Sequence, residues 1–99
     1  MVRPHKPRNI EKEVRFTCFK PAQVPRNQLE KVELQAAELE ALRLSNLDEL
    51  SQLEASKRMW VSASTFNRLL KSASKKITDA LVNGKWIRIY KTDGTGNCK

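Results

Sequence analysis

Five polar side chains, Ser64, Asn67, Arg68, Lys71 and Lys75, stand at offsets 0, 3, 4, 7 and 11 along the chain. On an α-helix those offsets share one face. Short hydrogen-bonding groups followed by cations are what reading a DNA groove requires. In the major groove an Asn amide can pair with adenine and an Arg guanidinium with guanine, while Lys further along the helix meets phosphate. Asn67 and Arg68, with Ser64, are therefore the candidate base readers. Lys71, Lys75 and Lys76 are candidate phosphate contacts. Free amides at a helix start favour an anion, which adds Ser62 and Ala63 to the residues expected at DNA.

Such a face works only if the opposite side of its helix is held. Phe66, Leu69, Leu70, Ala73, Ile77, Ala80 and Leu81 follow a 3–4 spacing that supplies that buried side. Ser62 is the expected N-cap, Val61 and Phe66 are placed as a hydrophobic staple, and Gly84 suits the residue after the helix. From Ala63 to Asn83 the helix is roughly 31 Å long. Upstream, Ser51-Gln52-Leu53-Glu54 reads as a capping box opening a shorter helix that ends near Arg58 or Met59. In that helix Leu53, Ala55 and Met59 are expected inward, and Ser56 is small enough for a crossing helix to approach. Residues 51–83 thus read as helix, tight turn and basic helix, the pattern of a helix-turn-helix. Its first helix would cross the DNA backbone, with Gln52, Lys57 and Arg58 in reach of phosphate.

Charge supports a polyanionic partner. The 99 residues carry a formal net charge of +8. Residues 1–20 hold six Lys/Arg against two Glu, and residues 51–99 hold ten basic against three acidic groups. Residues 21–50 reverse the balance, with three basic and six acidic groups. Positive charge therefore gathers on the N-terminal arm and on the half with the basic helix. The bland alternative is two packed helices with a solvated basic face.

The remaining segments complete one domain over 13–90, between a basic arm at 1–12 and a polar tail at 91–99. Pro4 and Pro7 keep the arm extended, and Arg3, Lys6 and Arg8 make it a candidate for phosphates or a minor groove. Residues 14–19 alternate as a short strand, and 85–90 read as a second that could pair with them in this chain or in another copy. Periodicity does not decide whether residues 27–34 are helical or extended. Ala36–Ser45 is rich in helix formers, with Leu39, Leu42 and Leu44 expected inward and Glu38, Glu40 and Arg43 toward water. The fold class is mainly α: a helix-turn-helix domain with a short flanking β-ribbon.

Several strings taken together, LEALRL (39–44), SQLEAS (51–56), VSASTF (61–66) and KSASKKITDALVNGK (71–85), resemble a small prokaryotic family of predicted DNA-binding proteins. RPHKPR (3–8) and FKPAQVP (19–25) extend the likeness over about residues 3–89. In that family the helix-turn-helix is similar to region four of bacterial sigma factors, which implies DNA binding and transcriptional regulation. Two positions depart from the pattern. The turn usually holds Gly where this chain has Trp60, and the residue after Ser62 is usually Arg, here Ala63.

Other classes find little support. Cys18 and Cys98 lie far apart without a ligand cluster, so neither zinc nor another cofactor is expected. Cys18 reads as a small buried hydrophobe and Cys98 as a free thiol. With the lone His5 in the arm there is no nucleophile–base pair and no phosphate-cradling glycine loop, so an enzyme is not expected. No apolar run approaches the roughly 20 residues needed to span a bilayer, and no secretory signal is evident, so the expected location is the cytoplasm. The expected partner is double-stranded DNA. A homodimer through the strands or the back of the long helix would suit a palindromic operator. The rival reading is a degenerate helix-turn-helix that docks on a protein, such as a part of the transcription machinery, through Trp60 and the outer strand.

Overall fold

The computed structural model describes residues 8–92. Three helices pack with a small three-stranded sheet. In chain order the elements are β1 (Cys18–Phe19), β2 (Lys31–Leu34), α1 (Ala36–Leu42), α2 (Gln52–Arg58), α3 (Ala63–Asn83) and β3 (Trp86–Ile89). A 3-10 turn at Arg26–Gln28 precedes β2, and a π-type turn at Arg43–Leu47 widens the end of α1.

The sheet is larger than the expected ribbon, and its longest pairing is a different one. β3 is the central strand, with β1 antiparallel on one side and β2 parallel on the other. The pair expected from sequence does form within the chain, yet β1 is confined to two residues, Cys18 opposite Arg88 and Phe19 opposite Ile87. Residues 31–34, undecided from sequence, settle as strand because Val32 and Leu34 alternate inward beside Ile87 and Ile89. Cys18 is half-buried, and no free cysteine occurs among the described residues. Cys98 lies outside them.

Two cores lie along α3. Phe66 in its first half joins Ala37, Ala41, Leu44, Ala55 and Met59 from α1, the turn after it and α2. Ala73 and Ala80 in its second half join Val14, Val32, Leu34, Ile87 and Ile89. Both ends of the helix are closed as expected. The Ser62 hydroxyl accepts from the Thr65 amide at 3.1 Å, and Gly84 adopts a left-handed φ of 67° that costs glycine little.

α1 is buried on more sides than expected. Glu38 and Glu40, assigned to water, are 4% and 2% exposed, and Arg43 is half-buried. Leu44 is buried and Leu39 and Leu42 pack half-buried against the core, as expected, alongside buried Ala36, Ala37 and Ala41, and the carboxylates also point inward because each meets several donors. Glu38 accepts from Ser72 at 2.5 Å, from Lys76 at 2.8 Å and from the Gln35 amide at 2.9 Å, closing a capping box at the start of α1. Glu40 accepts from Arg43 at 2.7 and 2.9 Å and from the Glu11 amide at 2.7 Å. Two further inward assignments fail. Leu53 and Leu81 are exposed, since the small residues Ala55, Ser56 and Ala80 take the contact faces of their helices.

Residues 9–11, within the segment read as a basic arm, cross the molecule. The Asn9 amide donates to the Met59 carbonyl at 3.1 Å, and its side chain to the Arg58 carbonyl at 2.8 Å. Ile10 packs against both cores.

Candidate nucleic-acid interface

α2 and α3 are joined by a turn at Met59–Val61 that depends on a left-handed residue. Trp60 takes a φ of 59°, its amide donates to the Lys57 carbonyl at 3.2 Å, and the Val61 amide reaches the Ser56 carbonyl at 3.0 Å. The chain thereby reverses within three residues. Buried Ser56, whose hydroxyl turns back to the Leu53 carbonyl at 2.9 Å, lets the two helices approach.

With Phe66 buried on one side, the opposite face of α3 is bare. Ser62, Ala63, Ser64, Asn67, Arg68, Lys71 and Lys75 are all exposed. The hydroxyls at the helix start are tied together: Ser62 lies 3.2 Å from Ser64 and donates to Thr65 at 3.0 Å. Gln52, in the first turn of α2, donates its side-chain amide to the Asn67 carbonyl oxygen at 3.3 Å. That bond crosses from one helix to the other at the entrance of the face. It ties the Asn67 side-chain oxygen to Gln52, while that oxygen keeps a second lone pair.

The cations divide sharply by their partners. Lys76 is committed to Glu38 inside the fold and Lys85 to Asp79 at 3.0 Å. Arg43 is surrounded by Glu40, Glu11 and Asp48, which push its guanidinium up from its ordinary value. Arg58 is exposed yet shared between Glu11 at 3.6 Å and Glu54 at 4.0 Å. Among the described residues no carboxylate lies within ion-pair distance of Lys57, Arg68, Lys71 or Lys75. The face therefore carries charge that the fold leaves unneutralised.

Lys76, grouped with the phosphate contacts from sequence, is turned inward. Arg8 is exposed, one residue from the Asn9 clamp on the α2–α3 turn. Arg3 and Lys6 lie outside the described residues. Sequence reasoning passed over Asn9 and Glu11, which hold the end of α2 from about 50 residues away. No local pattern marks such a contact.

A family model described as "Protein of unknown function DUF134" matches residues 1–96. A UPF0251 protein of Thermoanaerobacter pseudethanolicus is 48% identical over 89 residues, covering 90% of this chain and 75% of that relative. One from Caldanaerobacter subterraneus is 49% identical over 89 residues, with the same two shares. One from Chlorobaculum tepidum is 45% identical over 96 residues, covering 97% of this chain and 63% of its own length. No solved structure matches the chain.

Proposed function

Because the chain belongs to the DUF134 family, whose UPF0251 members occur across bacteria, we propose for it the function that its exposed helix face supports best, DNA binding in transcriptional regulation. In this reading α2 and α3 form a helix-turn-helix resembling region four of sigma factors, and α3 enters the major groove from Ser62 onward. Asn67 and Arg68 read base edges. Lys71 and Lys75 meet phosphates, and α2 lies across the backbone with Gln52 bracing Asn67. The observation that carries the reading is the unpaired row Arg68, Lys71 and Lys75 on a helix whose other side is locked into two cores. Cations elsewhere on the surface are paired, Arg58 with Glu11 and Lys85 with Asp79.

Titration of a duplex library at increasing salt tests it. Each phosphate neutralised contributes a log–log slope near −0.9, so Lys71 and Lys75 alone give about −1.8. Binding that ignores salt, or no binding at low salt, contradicts the proposal.

One observation favours the docking alternative. Leu53 on α2 and Trp60 in the turn that follows it are both exposed, as an apolar contact with a protein partner would require. Trp60→Gly separates the readings. The DNA reading expects unchanged or better DNA affinity, and the docking reading expects loss of a partner in pull-down.

A further inference from the structure

Beside the buried stripe of α3 runs a strip that the fold covers only in part. Phe66, Ala73 and Ala80 are buried in the two cores. The partly covered strip runs through Leu70, Ser74, Ile77, Thr78 and Leu81, at steps of 4, 3, 1 and 3 residues, a continuous band on a helix. Leu70 and Ile77 are half-covered, whereas Ser74, Thr78 and Leu81 face solvent, Leu81 with 75% of its surface open. Beside this strip lies a groove of about 710 Å³ between α3, α1 and the segment leading into β1. Leu39, Leu42 and Ile77 line it, and Phe16, Phe19 and Leu47 stand on it more than half exposed. Single exposed hydrophobes are ordinary, but a contiguous set around a concavity marks an interface.

The geometry points to a second copy of this chain as the occupant: two α3 helices cross on Ser74 and Thr78, and Leu81 of each enters the groove of the other. Knob and hole sit on the same helix, one turn apart, so a twofold axis satisfies both at once. The small residues between them let the backbones approach. Of the charged residues that line the groove, Arg43 is neutralised by Glu40, Glu11 and Asp48, which leaves Lys12 and Arg15 flanking Glu13. That arrangement pairs with its own copy across a twofold axis and is poorly matched to a polyanion.

The area also suffices. A stable dimer buries about 800 Å² per partner, roughly a ninth of the 7200 Å² this chain exposes. Phe16, 67% exposed, and Phe19, 53% exposed, offer on the order of 100 Å² each, and Leu47, Leu81 and the groove walls supply the remainder. The crossing at Thr78 lies 10 residues, roughly 15 Å, along α3 from Arg68, so pairing leaves the base-reading end of each helix open.

Sedimentation equilibrium of the full chain, from low to high micromolar concentration and without DNA, tests the interface. The wild type is expected to dimerise reversibly. Leu81→Glu, which buries an unpaired carboxylate in the dimer, is expected to weaken association about a hundredfold or more, and Phe16→Ser to weaken it less. Leu53→Glu, at an exposed position on α2, is expected to leave the constant unchanged. Leu81 is open to solvent in the monomer, so at concentrations low enough to keep the wild type monomeric its variant keeps the wild-type melting curve, which circular dichroism checks. A wild type that stays monomeric throughout overturns the proposal. So does a dimer indifferent to both Leu81→Glu and Phe16→Ser, or a monomer whose groove takes up anilinonaphthalene sulfonate with Leu81 left free. Because no DNA is present, each of these outcomes is separate from failure of the DNA reading.

Discussion

Trp60 stores strain at the α2–α3 turn. A side chain with a Cβ at a φ of 59° costs roughly 1–2 kcal/mol relative to glycine, and the indole returns little of it through burial, being 64% exposed. Trp60→Gly is therefore expected to stabilise the domain by about 1 kcal/mol, raising its melting temperature by roughly 4–8 °C. A lower melting temperature would show that the ring contributes packing that outweighs the backbone strain. Arg68 and Lys75 are both exposed without ion-pair partners, yet the DNA reading gives them different work. Arg68→Ala is expected to relax base preference at one position by about 1–3 kcal/mol, while Lys75→Ala weakens all sequences alike and makes the salt slope shallower by about 0.9. Selection from random duplexes followed by salt titration measures both. The same response from both variants would remove the division between reader and anchor. These residue types were legible in the sequence, because a helical face is a matter of spacing. The bond from Gln52 to Asn67 was not, since it depends on how two helices cross.

At the scale of elements, α1 is held to α3 by a buried carboxylate. Burial pushes the Glu38 carboxyl up, but hydrogen bonds from Lys76, Ser72 and the Gln35 amide together outweigh it and hold it below its ordinary value of 4.5. A carboxyl depressed in the folded state stabilises the fold above its unfolded pKa, and that contribution is lost as pH falls through the folded value. Stability is therefore expected to decline below about pH 4.5. Glu38→Gln is expected to cost on the order of 1–3 kcal/mol at neutral pH and to flatten the acid limb. Urea unfolding at several pH values checks both, and an acid limb identical to the wild type would mean that other carboxylates govern it. The helix starts at Ser51 and Ser62 were readable because caps act within three residues. The burial of Glu38 was not readable. Leucine spacing placed Glu38 outside, and its stabilising partners Ser72 and Lys76 arrive from 34 and 38 residues away.

Across the whole molecule α3 acts as a beam through two cores, and residues 9–11 fasten one end of it. Asn9 ties the α2–α3 turn, Ile10 touches both cores, and Glu11 reaches Arg43 at 3.3 Å and Arg58 at 3.6 Å. Removing residues 1–11 is expected to destabilise the domain by on the order of 3 kcal/mol, from lost apolar packing and hydrogen bonds. Denaturant unfolding of the shortened chain measures it. A midpoint equal to the wild type would make the crossing segment dispensable to the fold.

The sequence by itself determined what depends on near neighbours: the span and caps of α3, the close of α2 at Arg58, the basic face, and the existence of strands near 18 and 87. Tertiary structure alone decided that residues 31–34 join β3 as a parallel strand, that Glu38 and Glu40 turn inward, and that Leu53 and Leu81 stay outside. The physical reason is range. Backbone caps and helical periodicity act over three or four residues, whereas burying a carboxylate or exposing a leucine is decided by which distant donors and which small side chains the folded chain brings alongside.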